Sequence, residues 1–450
     1  MRTRVLVPSG ALGLGWDAEA MARGIANSPD IIVIDGGSTD SGPHYLGTGT
    51  SKYSRQSTKV EWGGLMAARA EAGVPLVIGT AGTCGADSAV EWLLDITREL
   101  AAERGERLTV AVLKSGQSAE DLARALQAGR IAPLEPAPEI SAESLAACTN
   151  IVALAGAEQI QAALATGADI VIAGRTSDAA SIAALPLAQG AHAGAAWHGA
   201  KVGECGALCA SNPQSGVVQL DFDEGGCTIT PLADGAHATP ATVSAHMLYE
   251  NADPFHLKEP GGVLNVTGAS YAALDDTSVR ITGAAWEEGP YAVKLEGARQ
   301  AGFQTVSLAT IRDARYVQNV RAWCADIEAQ CRAKAEARLG RSDFELELRI
   351  IGLDATLGES DGGARLGSEV GVMGIVTAES QALATEIAKF LNPFLLHHPL
   401  TKAEEQPTFA FPFSPPEMAR GAVHEFCLNH VLALDEPMAG FRLEVEELGA

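Results

Sequence analysis

The first two fifths of the chain follow one pattern, in which a short apolar, β-branched run ends in glycine and polar residues before an alanine-rich stretch. The run RVLVPSG (4–10), for example, precedes DAEAMARGIA (17–26). Strands that are apolar at almost every position belong to parallel sheets covered on both faces, because helices connect the parallel strands. The pattern therefore predicts an α/β fold with a largely parallel sheet covered by helices. The runs are RVLVPSG, IIVIDGGSTD, VPLVIGTAGTCG, LTVAVLKSGQS, TNIVALAG and ADIVIAGRTSD.

This pattern changes after residue 187, and the chain of 450 residues is too long for one ordinary core. Short alternating runs such as GVVQLDF (216–222) follow, and then a long amphipathic helical stretch that ends at Gly340. We expect three parts. They are an α/β domain with a strand-end pocket over 1–187, a second part of the core with antiparallel strands and a long helix over 188–340, and a small α+β domain over 341–450.

Charge and composition limit the partners of the chain. The formal net charge is −24 and the pI is about 4.8, so the surface repels nucleic acid and anionic membranes. No apolar run reaches the ~18 residues of a membrane span, and the N-terminus MRTRVLVPSGALGLGW lacks the apolar core of a signal peptide. The eight cysteines form no dense disulfide framework. We expect a cytoplasmic protein with reduced thiols that binds neither nucleic acid nor membrane.

The ends of the predicted parallel strands are where a ligand would bind, because helix N-termini and unpaired amides converge there. Four loops follow such strand ends: Asp35–His44, Gly79–Gly85, Lys114–Gln117 and Gly174–Asp178. If the strands run parallel in one sheet, these loops share one edge. We therefore expect their polar residues to surround a single pocket.

The loop GTAGTCG (79–85) could form an amide-lined nest for an anion, with Thr80 and Thr83 as substrate contacts. Its glycines are three residues apart, which matches neither the dinucleotide fingerprint nor the P-loop, so no nucleotide cofactor is evident. A glycine-permitted turn and helix cap is the alternative. Cys84 would stand at a helix N-terminus, where a lowered pKa could make it a nucleophile or base. Inert packing in the core is its alternative.

The loop GRTSD (174–178) places an arginine between a strand and the first turn of a helix. Arg175 could hold a carboxylate or phosphate through two parallel hydrogen bonds. Ser177 and Asp178 could contact the same substrate, although capping of the helix is the alternative for both. Lys114, in the equivalent position of an earlier run, could add positive charge or could simply be exposed.

The loop IDGGSTDSGPH (34–44) contains more polar groups than a simple turn needs, so it is either one wall of a pocket or a solvated connection. Asp35 and Asp40 are candidate general bases, and His44 is a candidate acid or base near neutral pH. Ser38 is a candidate substrate contact. A pair of carboxylates could also coordinate a divalent metal, although no other cofactor is evident.

Four further segments carry a resemblance to a known family. They are GADIVIAGRTSDAASIAALPL (167–187), ECGA (204–207), VSAHMLYENADP (243–254) and FPFSPPEMARGAVHEF (411–426). Together they resemble the acyclic terpene utilisation, or AtuA-like, family, and the IDGGSTDSGPHYLG loop resembles a branch distinct from the terpene-pathway members. The resemblance implies a cytoplasmic catabolic protein that works beside enzymes of carboxylate or CoA-thioester degradation, often with a small companion domain. It implies no particular catalytic residue.

Two functions are compatible with these observations. The first is an enzyme that acts on a small carboxylate or acyl-CoA by proton transfer, as a lyase, hydratase or isomerase. Arg175 and Lys114 would bind the substrate, the amides of the GTAGTCG loop would stabilise an oxyanion, and Asp35, Asp40 or His44 would move the proton. The alternative is a non-catalytic metabolite-binding subunit of a complex with a small companion protein. We also expect a homo-oligomer.

Overall fold

The computed structural model describes residues 2–249, 251–358 and 366–449. The chain divides into two compact units, one of Met1–Arg299 with Phe426–Ala450 and the other of Gln300–Glu425. None of the helices within the described ranges has the length and hydropathy needed to cross a membrane.

These units divide the chain at other points than the three expected parts. The expected second part, 188–340, is split at Arg299, because its long helix belongs to the second unit. The expected C-terminal part is split at Phe426, because the last strand of the chain returns to the sheet of the first unit. Both divisions fall inside long strands, where the hydrophobic pattern has no break.

The strands have the following bounds: β1 Thr3–Val7, β2 Ile31–Asp35, β3 Leu76–Gly79, β4 Leu108–Lys114, β5 Ile131–Pro133, β6 Asn150–Ala153, β7 Ile170–Ala173, β8 Val218–Phe222, β9 Cys227–Pro231, β10 His256–Glu259, β11 Gly262–Asn265, β12 Ser270–Ala273, β13 Val279–Thr282, β14 Ala285–Glu288, β15 Ala292–Ile311, β16 Glu345–Ile351, β17 Val370–Ala378, β18 Glu417–Ala433 and β19 Arg442–Leu448.

The α-helices are α1 Ala18–Ala26, α2 Pro43–Thr48, α3 Arg55–Ala72, α4 Asp87–Arg104, α5 Ala119–Gln127, α6 Ala142–Ala146, α7 Ala157–Leu164, α8 Asp178–Ala188, α9 Ala193–Gly203, α10 Pro240–His246, α11 Ala314–Gln318, α12 Val320–Leu339 and α13 Gln381–His397. Short 3-10 turns span Thr39–Ser41, Gly206–Cys209 and Pro213–Ser215.

The main sheet of the first unit contains the predicted parallel strands in the order β1-β2-β3-β7-β4, and every neighbouring pair among them is parallel. Antiparallel strands extend the sheet on both sides, with β8, β9, β13 and β12 beside β1, and β19 beside β4. The predicted α/β class with an antiparallel-rich middle region is confirmed. The carboxyl ends of the five parallel strands therefore share one edge.

One run of the predicted series lies elsewhere. TNIVALAG forms β6, but β6 pairs antiparallel with β15, where Val152 lies opposite Glu296. Its assignment to the parallel series is wrong. A short strand buried at nearly every position has the same local pattern in either sheet, and only its distant partner decides between them.

Alternating side chains of the parallel strands form two cores. Val5 and Val7 of β1 face a core built with α5, α7, α8 and α9, whereas Leu6 faces a core built with α1, α3 and α4. Helix α3 ends at Gly73, which adopts a left-handed φ of 69°. Helices thus cover both faces of the sheet, and the strand ends carry the polar loops.

The second unit is a smaller α+β arrangement. Strand β17 pairs antiparallel with β16 and with the later part of β15, where Val306 lies opposite Ile375. Helices α12 and α13 pack on these strands around Trp323, Ile387 and Leu391. Residues of α12 and β16 that the sequence assigned to different parts share this core.

Candidate active site

The four predicted loops meet at the carboxyl edge of the parallel strands. The N–H of Gly36 donates to the carbonyl of Gly79 at 2.7 Å, and the N–H of Thr80 donates to the carbonyl of Gly174 at 2.9 Å. The hydroxyl of Ser115 accepts from the Arg175 N–H at 2.7 Å and donates to a carbonyl of the GTAGTCG loop at 3.2 Å. The parallel order of the strands produces this convergence, because each loop leaves the sheet in the same direction.

Arg175 is buried at the centre of this edge and is already paired. Its Nε donates to Oε2 of Glu296 at 2.7 Å, and its Nη1 donates to the Thr80 hydroxyl at 3.2 Å and to the Thr176 carbonyl at 2.9 Å. The nearest oxygen of Asp178 lies 3.5 Å from Nη1. The guanidinium therefore holds protein groups in the positions where a substrate carboxylate was expected.

Glu296 reaches the cluster from β15 and is only 4% exposed. Its second oxygen pairs with Lys294 Nζ at 2.9 Å. Burial by itself would raise the pKa of Glu296, but the positive charges of Arg175 and Lys294 lower that pKa to about 2. Glu296 is therefore ionised at neutral pH, where its negative charge compensates that of Arg175.

Asp35 stands at the tip of β2 with a strongly perturbed carboxyl group. Burial raises its pKa well above the ordinary value, the negative charge of Asp178 raises it further, and Arg175 opposes the shift. Its Oδ1 is buried and has no hydrogen-bond partner among the described residues. A buried carboxylate oxygen without a partner is costly, so the protonated form of Asp35 is favoured.

Ser177 and Asp178 open α8. The Ser177 hydroxyl caps the helix by accepting from the Ala180 N–H at 3.3 Å, so the capping interpretation is correct for Ser177. The same hydroxyl hydrogen-bonds Glu259 at the end of β10. Asp178 is the first residue of the helix and faces Arg175, and burial raises its pKa.

Two more carboxyl groups complete the site. Burial raises the pKa of Glu259 to about 7, and it raises the pKa of Glu204 to about 8 although Lys201 pairs with Glu204. Lys201 lies in the last turn of α9, and its charge also acts on Asp178 and Glu259. The buried His246 contacts the backbone of Lys201, and burial lowers its pKa to about 4, so its ring is neutral.

We call this set the ionic cluster. It contains more carboxyl groups than cations, so some of the carboxyl groups must hold protons when the chain is folded. Such a set can donate and accept protons near neutral pH. Its members are Asp35, Arg175, Asp178, Lys201, Glu204, Glu259, Lys294 and Glu296.

Four amides of the GTAGTCG loop, where an anion nest was expected, are already paired within the protein. The residues of this loop are buried, and the N–H groups of Thr80, Ala81, Thr83 and Gly85 all donate to backbone carbonyls. Thr80 and Thr83 adopt positive φ angles of 46° and 79°, which are strained for β-branched residues. The loop therefore supports Arg175 through Thr80, while the Thr83 hydroxyl accepts from the Lys52 N–H at 3.1 Å.

Cys84 and Lys114 are placed differently from the expectation. Cys84 is 1% exposed in an apolar cluster, and burial raises the pKa of its thiol, the opposite of the expected activation. Lys114 pairs with Glu91 at 2.6 Å and with Glu444 at 3.2 Å, outside the ionic cluster. The alternation of side chains along β4 turns Lys114 away, and the next residue, Ser115, is the one that contacts Arg175.

Asp35, the last residue of β2, belongs to the cluster, whereas Ser38, Asp40 and His44 of the loop and helix that follow are not members of it. Ser38 caps the 3-10 turn by accepting from the Asp40 N–H at 3.0 Å. Asp40 is exposed, and its negative charge acts on Asp178. His44 is exposed on α2, where its ring lies 5.3 Å from that of Tyr45.

An apolar cavity of about 590 Å³ lies beside the cluster. Its wall includes Ser9, Leu14, Cys205, Leu208 and Tyr249. Cys205 directly follows Glu204, and the Tyr249 ring stacks on His246 with centroids 5.7 Å apart. The cavity therefore adjoins the Lys201 side of the cluster.

Sequence reasoning missed Glu296, Glu259, Lys201 and Lys294. Glu296 did carry a signal, because it follows the buried Leu295 in a strand where a carboxylate is costly without a partner. Glu204 lies in the ECGA segment (204–207), whose sequence indicates no role for it. Among the described residues, no three His, Cys, Asp or Glu side chains form a group that could hold a metal ion, and a divalent metal stays a prediction.

Comparison with known proteins gives one family. The family model described as acyclic terpene utilisation family protein AtuA matches residues 64–408 of the chain. The match includes most of the ionic cluster, from Arg175 to Glu296, and it excludes Asp35. Comparisons with curated proteins and with solved structures gave no match.

Proposed function

Because this chain belongs to the acyclic terpene utilisation family AtuA, we propose that it is a catabolic enzyme that moves a proton on an acyl thioester at the ionic cluster. The observation that carries the proposal is Asp35, whose buried Oδ1 has no hydrogen-bond partner among the described residues and whose pKa is raised. A protonated carboxyl group at the edge of a parallel sheet is suited to donate a hydrogen bond to a substrate oxygen.

The substrate's reacting end is uncharged in this proposal. Arg175 is already paired with Glu296 at 2.7 Å and lies 3.5 Å from Asp178, so a free carboxylate would have to displace one of them. A thioester carbonyl does not meet this obstacle, because it only accepts hydrogen bonds. This favours the acyl-CoA over the free acid among the two substrate classes expected from the sequence.

The proposed step needs one acid and one base. Glu259, with a pKa of about 7, is divided between its two protonation states near neutral pH, as a general base should be. Its carboxylate would take the proton from the carbon next to the carbonyl, and the electrons of that C–H bond would form the enolate. The neutral carboxyl of Asp35 would hydrogen-bond the enolate oxygen. Return of the proton to either face of that carbon completes an isomerisation. If the substrate carries a β-hydroxyl group, this group instead takes the proton from Glu259 and leaves as water, which makes the reaction a dehydration.

The test is hydrogen exchange in deuterated water. The purified protein is incubated with a saturated acyl-CoA, an enoyl-CoA and a hydroxyacyl-CoA, and with the corresponding free acids. Deuterium should enter next to the carbonyl of a thioester and not of the free acids. Asp35→Asn and Glu259→Gln should each lower the exchange rate by about 10²–10⁴-fold. The exposed Glu288→Gln is the matched control and should exchange like the unchanged protein.

Two results would contradict the proposal. Full exchange by folded Asp35→Asn would remove Asp35 from the reaction. Tight thioester binding without exchange, by the unchanged protein, would favour the alternative of a metabolite-binding subunit that works with a small companion protein. Repeating the assay with a cell extract fraction that restores exchange would then identify the companion as the missing component.

A further inference from the structure

Cys148 and Cys427 form a close thiol pair that the proposed acid–base chemistry does not use. Their Sγ atoms lie 2.7 Å apart, although 279 positions separate the two residues in the chain. Both are thiols in this structure. A disulfide bond is about 2.05 Å long, so a small side-chain rotation would complete it.

The surroundings hold the two sulfurs together. Cys148 follows α6, where its Sγ donates to the Ser144 carbonyl at 3.4 Å, and the next residue, Thr149, donates its N–H to the Ala298 carbonyl at 2.8 Å. A Cβ added at Gly297 would lie 3.4 Å from Cys148 Sγ and 2.7 Å from the Leu428 side chain. The absence of that Cβ leaves room for the Cys148 thiol beside this part of β15.

The pair is also reachable and activated. Cys148 is half-buried and lines a cavity of about 400 Å³ together with Gln117, Asn150 and Arg442. The hydrogen bond with Cys427 lowers the pKa of the Cys148 thiol, and the positive charge of Arg299 lowers it further. Cys427 is 7% exposed, so Cys148 is the thiol that a small molecule in the cavity meets first.

We propose that Cys148 and Cys427 are a redox-active dithiol site that small-molecule disulfides convert to an intramolecular disulfide. The Cys148 thiolate attacks one sulfur of a disulfide such as oxidised glutathione and releases one glutathione thiolate. The Cys427 thiol then attacks the Cys148 sulfur of the mixed disulfide and releases the second glutathione. The two thiol protons end on the two glutathione thiolates, and the glutathione disulfide takes up the two electrons that the protein loses.

The site differs from the other cysteines of the described chain. Most of these are buried, and burial raises the pKa values of Cys84, Cys209 and Cys227. Cys205 is half-buried like Cys148 and stands beside the 590 Å³ cavity, whereas the Sγ atom of Cys148 already lies 2.7 Å from that of Cys427. Oxidation should therefore select the Cys148–Cys427 pair.

The experiment equilibrates the full-length reduced protein with increasing ratios of oxidised to reduced glutathione, without oxygen. Remaining thiols are alkylated, and peptides are identified by mass under non-reducing conditions. We expect a linked Cys148–Cys427 peptide pair and the loss of two alkylatable thiols per chain, both reversed by dithiothreitol. In Cys427→Ser, glutathione should accumulate on Cys148, because the second thiol is missing. The control Cys205→Ser should form the linked pair as before.

Three results would overturn the proposal. One is full alkylation of both cysteines at every glutathione ratio. Another is glutathionylation of Cys148 in the unchanged protein without any linked peptide. The third is equal accumulation of glutathione on Cys148 in the unchanged protein and in Cys427→Ser. None of these readouts depends on turnover, so they are independent of the proposed acid–base activity.

Discussion

The Nε of Arg175 donates to Oε2 of Glu296 across 2.7 Å, and the two side chains are only 10% and 6% exposed. The residues are 121 positions apart, on the loop after β7 and on β15. Each charge is stabilised in the interior chiefly by the other, since an unpaired buried ion is strongly destabilising. This pair therefore organises the ionic cluster, and several measurable consequences follow from it.

Replacing Glu296 with glutamine should destabilise the protein by about 3–5 kcal/mol at neutral pH, because Arg175 loses its principal counter-charge inside the fold. The measurement is the free energy of unfolding in urea. Glu288→Gln is the matched control on an exposed strand position and should change stability by no more than about 0.5 kcal/mol. An equally small change in Glu296→Gln would show that Arg175 does not depend on this partner.

The same pair should make stability depend on acid pH. The pKa of Glu296 is lowered from 4.5 to about 2, so its contribution is complete above 4.5 and is lost as the pH falls towards about 2. The difference in unfolding free energy between the unchanged protein and Glu296→Gln should therefore shrink over that range. Urea titrations at a series of acid pH values measure it, and a constant difference would refute the assignment.

Glycine at position 85 should be indispensable to the site. A Cβ added at Gly85 would lie 2.2 Å from the backbone nitrogen of Arg175, and the φ angle of Gly85 is 65°. Gly73 ends α3 with a φ of 69° and has nothing within 4 Å of an added Cβ. Gly73→Ala should therefore cost only the left-handed penalty of about 1–2 kcal/mol, whereas Gly85→Ala should cost clearly more. Thermal unfolding of the two variants measures both stability losses. Equal losses would contradict the close contact between Gly85 and the backbone of Arg175.

Glu204 should impose the opposite pH dependence from Glu296. Its pKa is raised from 4.5 to about 8, so the folded state binds the proton more tightly than the unfolded state does. The stability that the protonated form of Glu204 contributes to the fold is complete below pH 4.5 and is lost as the pH rises towards 8. Glu204→Gln should therefore gain stability relative to the unchanged protein, by a few kcal/mol, between about pH 5 and about pH 9. Parallel pH dependences of the two unfolding curves would show that Glu204 is ionised throughout.

Cys84 should be a packing residue. Its burial and the raised pKa of its thiol predict that iodoacetamide leaves it unmodified in the folded protein at neutral pH. Cys84→Ala should keep the deuterium exchange proposed for the ionic cluster, with a loss of stability of about 1 kcal/mol from the small cavity. A folded Cys84→Ala variant without exchange, while Glu288→Gln exchanges normally, would return Cys84 to the list of catalytic candidates.

Much of the site's position followed from sequence pattern. Buried strands that end in polar loops predicted a common edge, and Asp35, Arg175 and Asp178 do meet there. The local sequence pattern was less informative about the direction in which each side chain points. Lys114 and Ser115 are neighbours at the end of β4, and only the strand's alternation decided that Ser115 contacts Arg175 while Lys114 pairs with Glu91 and Glu444.

The remaining members of the cluster could not be located from the sequence. Glu259 and Glu296 lie on strands far along the chain from β7, and Lys201 and Glu204 lie at the end of a helix with no strand-end signal. The glycine-rich loop also looked like an anion site, although four of its amides donate to backbone carbonyls. Whether a backbone amide is available to bind an anion depends on the carbonyl groups of the neighbouring loop. A local sequence motif does not indicate which loop that is.

The sequence by itself determined the α/β class, the parallel orientation of the strands β1, β2, β3, β7 and β4, and the edge of the sheet at which the polar loops lie. Hydrophobic periodicity and chain connectivity are local properties, so the sequence contains them directly. Only the tertiary structure decided which charges meet there. It paired Arg175 with Glu296, left Asp35 Oδ1 without a partner among the described residues, and brought Cys148 to Cys427. Pairing and desolvation depend on contacts between residues far apart in the chain, and those contacts exist only once the strands have assembled.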